Sequence, residues 1–471
     1  MAAQLRYPSL AAGLLLSVGT FFATRHFAMP PSQCITAAVT VLCACWWIFE
    51  SLPLEATSLV PFAVFPLLGV LTERDVGAAY GDPIVLLFMG GFMLAQAAEA
   101  CGAHRRLAHS IVAAIGNTSA RRLILAFMIA TAFVSMWVSN TAAALMMLPV
   151  AMAVIECDTE GRLHVPLLLG IAYSASIGGV ATPIGTPPNG VFLANYTKIT
   201  GGTVPFHEWL LLGGTVAVLM LAVTWLVLTW KLGGVKSVDV EIEGTWTTTQ
   251  KRVLAVLALA ALAWITREIP YGGWSALLER YIGPTEAGDT TVALVAVVIL
   301  FLVPRGDSDG KRLLDWSTAK QIPWGVLLLF GGGIAIAKAF DASGLSTSIG
   351  SLVDRLQDWP TLAVIGTLCL LVTFFSEFTS NTATSNILMP ILAAAAVANK
   401  LDPALLMFPA TLSNSLAFMM PVGTPPNALV FATGRVRIAD MVRYGFILNL
   451  ASTAIVTLVC WKLLPVVFGG D

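Results

Sequence analysis

Ser139-Asn140-Thr141 followed by Gly185-Thr186-Pro187-Pro188-Asn189 recurs, in the same order, as Ser380-Asn381-Thr382 and Gly423-Thr424-Pro425-Pro426-Asn427. The tripeptides lie 241 positions apart and the pentapeptides 238. The match runs further: the stretch from Ile84 to Gly91 resembles that from Val326 to Gly333, and Gln96, Glu99 and Gly102 fall on Lys338, Asp341 and Gly344, each 242 positions on. Helix-breaking polar signals that occur twice in apolar surroundings constrain the fold to two like-built halves with a polar site between them.

The surroundings are those of a membrane protein. Of 471 residues 57% are hydrophobic and 11% charged, against roughly a quarter charged in soluble domains. The apolar stretches supply about ten or more helical spans of roughly 20 residues each, and the short alternating segments of a β-barrel are absent. A net charge of −1 gives no sign of a nucleic-acid partner. The seven cysteines lack metal spacing and read as small core residues.

Basic residues set the orientation. With the N-terminus cytoplasmic and one non-crossing hairpin in each half, 17 Lys and Arg lie inside, 8 outside, and Lys338 within a span. Each half then has an odd number of crossings, so the halves are inverted. The expected organisation is an extra N-terminal helix at 1–32, a first inverted repeat at 33–232, a cytoplasmic linker at 233–250 and a second repeat at 251–471. The chain is placed in the plasma (inner) membrane as a multi-pass protein, its C-terminus outside. Trp46, Trp47, Trp209, Trp225 and Trp230 fall near predicted span ends, where interfacial anchors sit.

Two consecutive prolines remove two backbone donors and force the preceding residue out of helical dihedrals. The carbonyls so freed are tolerable at membrane depth only beside a cavity. Thr186 and Thr424 suit the N-cap, with Pro187 and Pro425 at N1 of the next half-helix. Carbonyls before the break can ligate a cation, and amides after it favour an anion. Ser-Asn-Thr adds hydroxyls and a carboxamide that donate to carboxylates or ligate a hard cation. Ser135 and Ser376 stand four residues before each tripeptide, on the same face if the helix continues.

In these residues the chain resembles the divalent anion:sodium symporter family over nearly its whole length. The resemblance implies an all-α fold of about eleven transmembrane helices with two re-entrant hairpins, one entering from each side, two broken helices, and a homodimer. It implies hairpin tips at the two tripeptides, the first on the cytoplasmic side and the second on the outer. One Na⁺ would lie among Ser135, Ser139, Asn140 and the Gly185 carbonyl, a second among Ser376, Thr379, Asn381 and the Gly423 carbonyl. A dicarboxylate would meet Ser139, Asn140, Thr141, Thr186, Ser380, Asn381, Thr382 and Thr424, with Pro187 and Pro425 lining the pocket. The implied activity is sodium-coupled symport of succinate, malate or fumarate by an elevator motion. A sodium-independent exchanger, or a citrate or sulfate carrier of the same fold, stays open.

No HExxH motif, paired-aspartate site or Ser/His or Ser/Lys dyad occurs in the spans, which argues against an intramembrane enzyme. Inverted broken helices fit alternating access better than a channel. Glu377, beside the second tripeptide, is expected to cap or pair within its hairpin, with Lys338 as a candidate partner.

Overall fold

The computed structural model describes residues 7–115, 119–156, 158, 161–232, 245–268, 273–285, 287–306, 310–350 and 359–468. Residues 233–244 of the expected linker lie outside them, as do Arg6 and Arg355, two of the basic residues counted above, and Cys157, one of the seven cysteines. The described residues are helical and contain no strand, only an isolated antiparallel bridge between Pro304 and Arg312.

Among the described residues, eight helices are at least 18 residues long and apolar enough to cross a membrane, among them Tyr7–His26, Pro31–Ile48, Phe206–Thr229 and Ile438–Val467. Other apolar helices are shorter for a local reason. Shorter apolar helices such as Asn140–Glu156, His164–Gly179 and Thr361–Ser376 end where the chain reverses or breaks at the polar motifs. The 8-residue helix Pro425–Ala432 is about 12 Å long at 1.5 Å per residue, far short of a roughly 30 Å hydrocarbon core.

The order of elements repeats. Helix Pro83–Ala100 is followed by Ala103–Ile115, a hairpin (Ala120–Ser135, Asn140–Glu156), a broken helix (His164–Gly179, Pro187–Thr200) and the long helix Phe206–Thr229. Helix Trp324–Ser343 is followed by Leu345–Gly350, a hairpin (Thr361–Ser376, Asn381–Ala398), a broken helix (Ala404–Ser415, Pro425–Ala432) and the long helix Ile438–Val467. The two leading helices meet through matching residues: Phe88 and Phe330 pack edge to face at 4.9 Å. Gly190 sits against this pair, where a Cβ would stand 2.5 Å from the Phe88 ring and 3.1 Å from that of Phe330. Only glycine lets the first broken helix come so close.

Not all the tryptophans are interfacial. Trp47 and Trp209 are fully buried, their indole N–H groups donating to the carbonyls of Leu54 at 3.2 Å and Val180 at 3.1 Å. Each satisfies its polar edge inside the protein, which permits burial. Trp230 is 80% exposed, as an anchor would be. Cys34, Cys43, Cys369 and Cys460 are buried, and Cys45 and Cys101 are half-buried.

Candidate functional site

The first hairpin turns at its tripeptide. Helix Ala120–Ser135 stops at Ser135 and the next starts at Asn140, so residues 136–139 form the reversal and the expected Ser135–Ser139 helical face does not exist. Ser135 instead donates to Asn140 Oδ1 at 2.8 Å and to the Ala175 carbonyl at 2.7 Å. The Ser139 hydroxyl accepts from the Ala142 amide at 3.2 Å, capping the second arm. Asn140 lies against Gly179, the last residue before the break, where any Cβ would overlap its carboxamide.

The break is held by its own motif. Pro187 opens the second half-helix, and Thr186 occupies the N-cap with φ −146° and ψ 146°. Its side chain makes no capping bond, so position and backbone match the expectation and the hydroxyl bond does not. Asn189, fifth residue of the pentapeptide, donates to the carbonyls of Gly179 at 3.0 Å and Thr182 at 2.8 Å. The Thr182 hydroxyl reaches the hairpin turn at the Met136 carbonyl, 2.6 Å away.

The second copy repeats this frame with one exchange. Pro425 opens its half-helix, Thr424 is the N-cap without a side-chain bond, and the buried Thr424 Oγ1 has no partner. Asn427 donates to the carbonyls of Ala417 at 3.2 Å and Met420 at 3.1 Å, positions 238 on from Gly179 and Thr182. Helix Thr361–Ser376 ends at Ser376, whose hydroxyl turns back to the Thr373 carbonyl at 2.8 Å and not toward Asn381. Thr379 pairs with Thr384 at 2.8 Å. Asn381 Oδ1 is buried without a partner.

Glu377 takes the place of Met136. It is 1% exposed and accepts from the amides of Phe418 at 2.7 Å, Met419 at 2.8 Å and Met420 at 2.8 Å, and from Asn449 at 2.7 Å. A carboxylate accepts several such bonds, which is what makes its burial tolerable. Lys338 is not its partner: that ammonium donates to the Asp75 carbonyl at 3.0 Å and lies 3.7 Å from the Asp75 carboxylate. Glu377 thus caps across to the second break, not within its own hairpin.

Both hairpin tips and both breaks open onto one cavity of about 800 Å³, within the range of small-molecule sites. It is lined by Ser139, Asn140, Thr141, Thr186 and Pro187 from the first half and Ser380, Asn381, Thr382, Thr424 and Pro425 from the second. Gly185, Thr379 and Gly423 also line it, while Ser135 and Ser376 are fully buried behind the tips. A stripe of helix Pro83–Ala100 (Phe88, Phe92, Gln96, Glu99) forms one wall, and the exposed Glu50 and Gln321 mark its mouth. No lysine or arginine is among the described residues that line it. Sequence reasoning missed Asn189 and Asn427 as clamps, although the duplicated motif contained them, and missed the partners of Glu377.

A family model described as the sodium:sulfate symporter transmembrane region matches residues 6–467. A sodium-dependent dicarboxylate transporter SdcS of Staphylococcus saprophyticus is 38% identical over 485 residues, covering 98% of this chain and 92% of that one. The SdcS of Staphylococcus aureus strain MRSA252 is 37% identical with the same coverage, 98% and 92%. Among solved structures, the YdaH transporter of Alcanivorax borkumensis superposes with a TM-score of 0.61 at 14% identity, covering 92% of this chain and 98% of that one. MtrF of Neisseria gonorrhoeae gives 0.55 at 12%, with 84% of each chain covered. At such identities these two speak to the fold alone.

Proposed function

Because the chain belongs to the sodium:sulfate symporter family, we propose that it is a secondary transporter that couples Na⁺ to the movement of a C4-dicarboxylate such as succinate, malate or fumarate. The observation that carries this is the shared cavity into which two Ser-Asn-Thr tips and two proline breaks converge, with no lysine or arginine among the described residues that line it. A dianion entering it needs positive charge from elsewhere, and half-helix N-termini with bound Na⁺ are the available sources. The sodium-dependent dicarboxylate transporters matched above, 38% and 37% identical, support the same substrate class.

In this reading one Na⁺ is held among Ser135, Ser139, Asn140 and the Gly185 carbonyl. The second is held among Ser376, Thr379, Asn381 and the Gly423 carbonyl. The unpartnered oxygens Asn381 Oδ1 and Thr424 Oγ1 fit a hard cation, and the Thr424 hydroxyl can also donate to a carboxylate, since a buried polar atom without a partner is otherwise costly. The carboxylates lie against Asn140, Thr141, Asn381, Thr382 and the two threonine N-caps. The halves are inverted repeats, the hairpins and broken helices slide together against the remaining helices, and the protein works as a homodimer.

The test is uptake of labelled succinate into proteoliposomes under an inward Na⁺ gradient or an equal K⁺ gradient. Accumulation with Na⁺ alone is expected. Uptake that ignores Na⁺ but needs dicarboxylate inside would make the protein an exchanger, and no uptake would send the search to sulfate and citrate.

A further inference from the structure

A second, smaller cavity of about 210 Å³ lies where the first broken helix, the second hairpin and helix Trp324–Ser343 converge. Lys198, Phe340, Asp341, Ser346, Pro390 and Val397 are in its lining. Lys198 is half-buried and donates to the Ile334 carbonyl at 3.1 Å. Across the cavity stands Asp341, held by the Ser346 hydroxyl at 3.0 Å. Asp341, Lys338, Asp82 and Asp75 are the charges that act on Lys198. Lys338 already has Asp75 as its partner and Asp82 caps helix Pro83–Ala100 through the Ile84 amide, while Asp341 shares the lining of this cavity with Lys198.

The position of this contact gives it meaning. Lys198 is eleven residues beyond Pro187 on one helix, so about 16 Å from the main cavity at 1.5 Å per residue. Lys338 is twelve residues beyond Val326, another main-cavity residue, on helix Trp324–Ser343, or about 18 Å. Glu50 and Gln321 at the mouth lie at the other end of the same framework, as does the wall residue Glu99, near the far end of helix Pro83–Ala100 from Asp82. The lysine therefore fastens the half-helix that begins at Thr186 and Pro187 of the site, at the end away from the open mouth.

We propose that Lys198 is a conformational latch: its ammonium, bound to the Ile334 carbonyl and facing Asp341, holds the transporter with its cavity open toward Glu50 and Gln321. This rests on the sliding reading above. When the broken helix moves toward the opposite face, Lys198 leaves Ile334 and Asp341, so the contact exists in one state only. An interaction made in one of two states shifts their populations by its full free energy. A hydrogen bond of this kind is worth a shift of up to roughly tenfold.

The experiment places a reporter cysteine at Ala428, which lines the main cavity, in a background lacking the seven native cysteines. A membrane-impermeant maleimide is applied from either face, in intact cells and in inside-out vesicles. Lys198→Met is expected to raise labelling from the face opposite the mouth by up to roughly tenfold and lower it from the mouth side, with Lys198→Arg close to the parent. Parent-like labelling of Lys198→Met from both faces would overturn the latch alone. A parent reporter reached from only one face with and without Na⁺ and succinate would overturn alternating access, and the latch with it. Should Lys198→Met fail to fold, Asp341→Asn replaces it, with a shift in the same direction expected and no shift overturning the latch.

Discussion

Met136 and Glu377 occupy the same place in the two copies, and they tie hairpin to break in opposite senses. In the first copy the break supplies the side chain, Thr182, and the turn supplies a carbonyl. In the second the turn supplies the carboxylate and the break supplies three amides. One consequence is electrical: the second half-site carries a buried carboxylate that the first lacks. Glu377→Gln is expected to lower stability by about 1–3 kcal/mol, because its amide nitrogen would face the Met420 N–H and leave it unpaired. Thermal unfolding in detergent checks this, and a melting temperature equal to the parent's would count against the bonding described. The two tip asparagines should behave differently. Asn140→Ala and Asn381→Ala are expected to reduce Na⁺-driven succinate uptake to background while the folded protein survives, since each loses about 1 kcal/mol or less of internal hydrogen bonding. Wild-type uptake in both would rule out the proposed site.

At the level of elements, the breaks are built structures and not loose loops. Each pentapeptide asparagine donates to two carbonyls on the preceding side of its break, at equivalent positions in both halves. Asn427→Ala should therefore cost about 2 kcal/mol for two bonds and raise the Na⁺ concentration needed for half-maximal uptake, a paired reading that a purely local cap would not produce. The hairpins depend on backbone contact with the broken helices. A Cβ on Gly178 would overlap the Ala132 carbonyl, so Gly178→Ala must push the first hairpin off its neighbour. A loss of about 1–3 kcal/mol with reduced yield of monodisperse protein in size-exclusion chromatography is the expected result.

For the whole molecule, an apolar exterior surrounds a core that is itself largely apolar but also holds buried polar groups. Leu15, Leu67, Val218, Leu259 and Val466 are more than half exposed, whereas the chemistry-bearing asparagines Asn189, Asn414, Asn427 and Asn449 are at most 1% exposed. Lipid accepts the former, and the latter must find partners inside. The orientation derived from the basic residues makes a direct prediction. A fluorescent protein fused before Tyr7 should be bright in the cytoplasm, and a periplasm-dependent phosphatase fused after Phe468 should be active. The reverse pattern would invert both repeats.

The duplicated motifs were legible in the sequence because two prolines and a glycine dictate a helix break wherever they stand. That local rule located both breaks, both N-caps and, by duplication, the two halves that share a site. The membrane setting followed from apolar length alone. What the chain could not show by itself was any contact whose partners lie far along it. Glu377 meets amides 41 to 43 residues on and Asn449 72 residues on, and Lys198 meets Ile334 at a separation of 136. Even the neighbouring Ser135 and Ser139 were misplaced, because a helical face presumes a helix and the reversal ends it at Ser135. Local sterics are written residue by residue, but the choice of partner for a buried charge depends on which carbonyls and amides packing brings within 3 Å, and only the tertiary structure makes that choice.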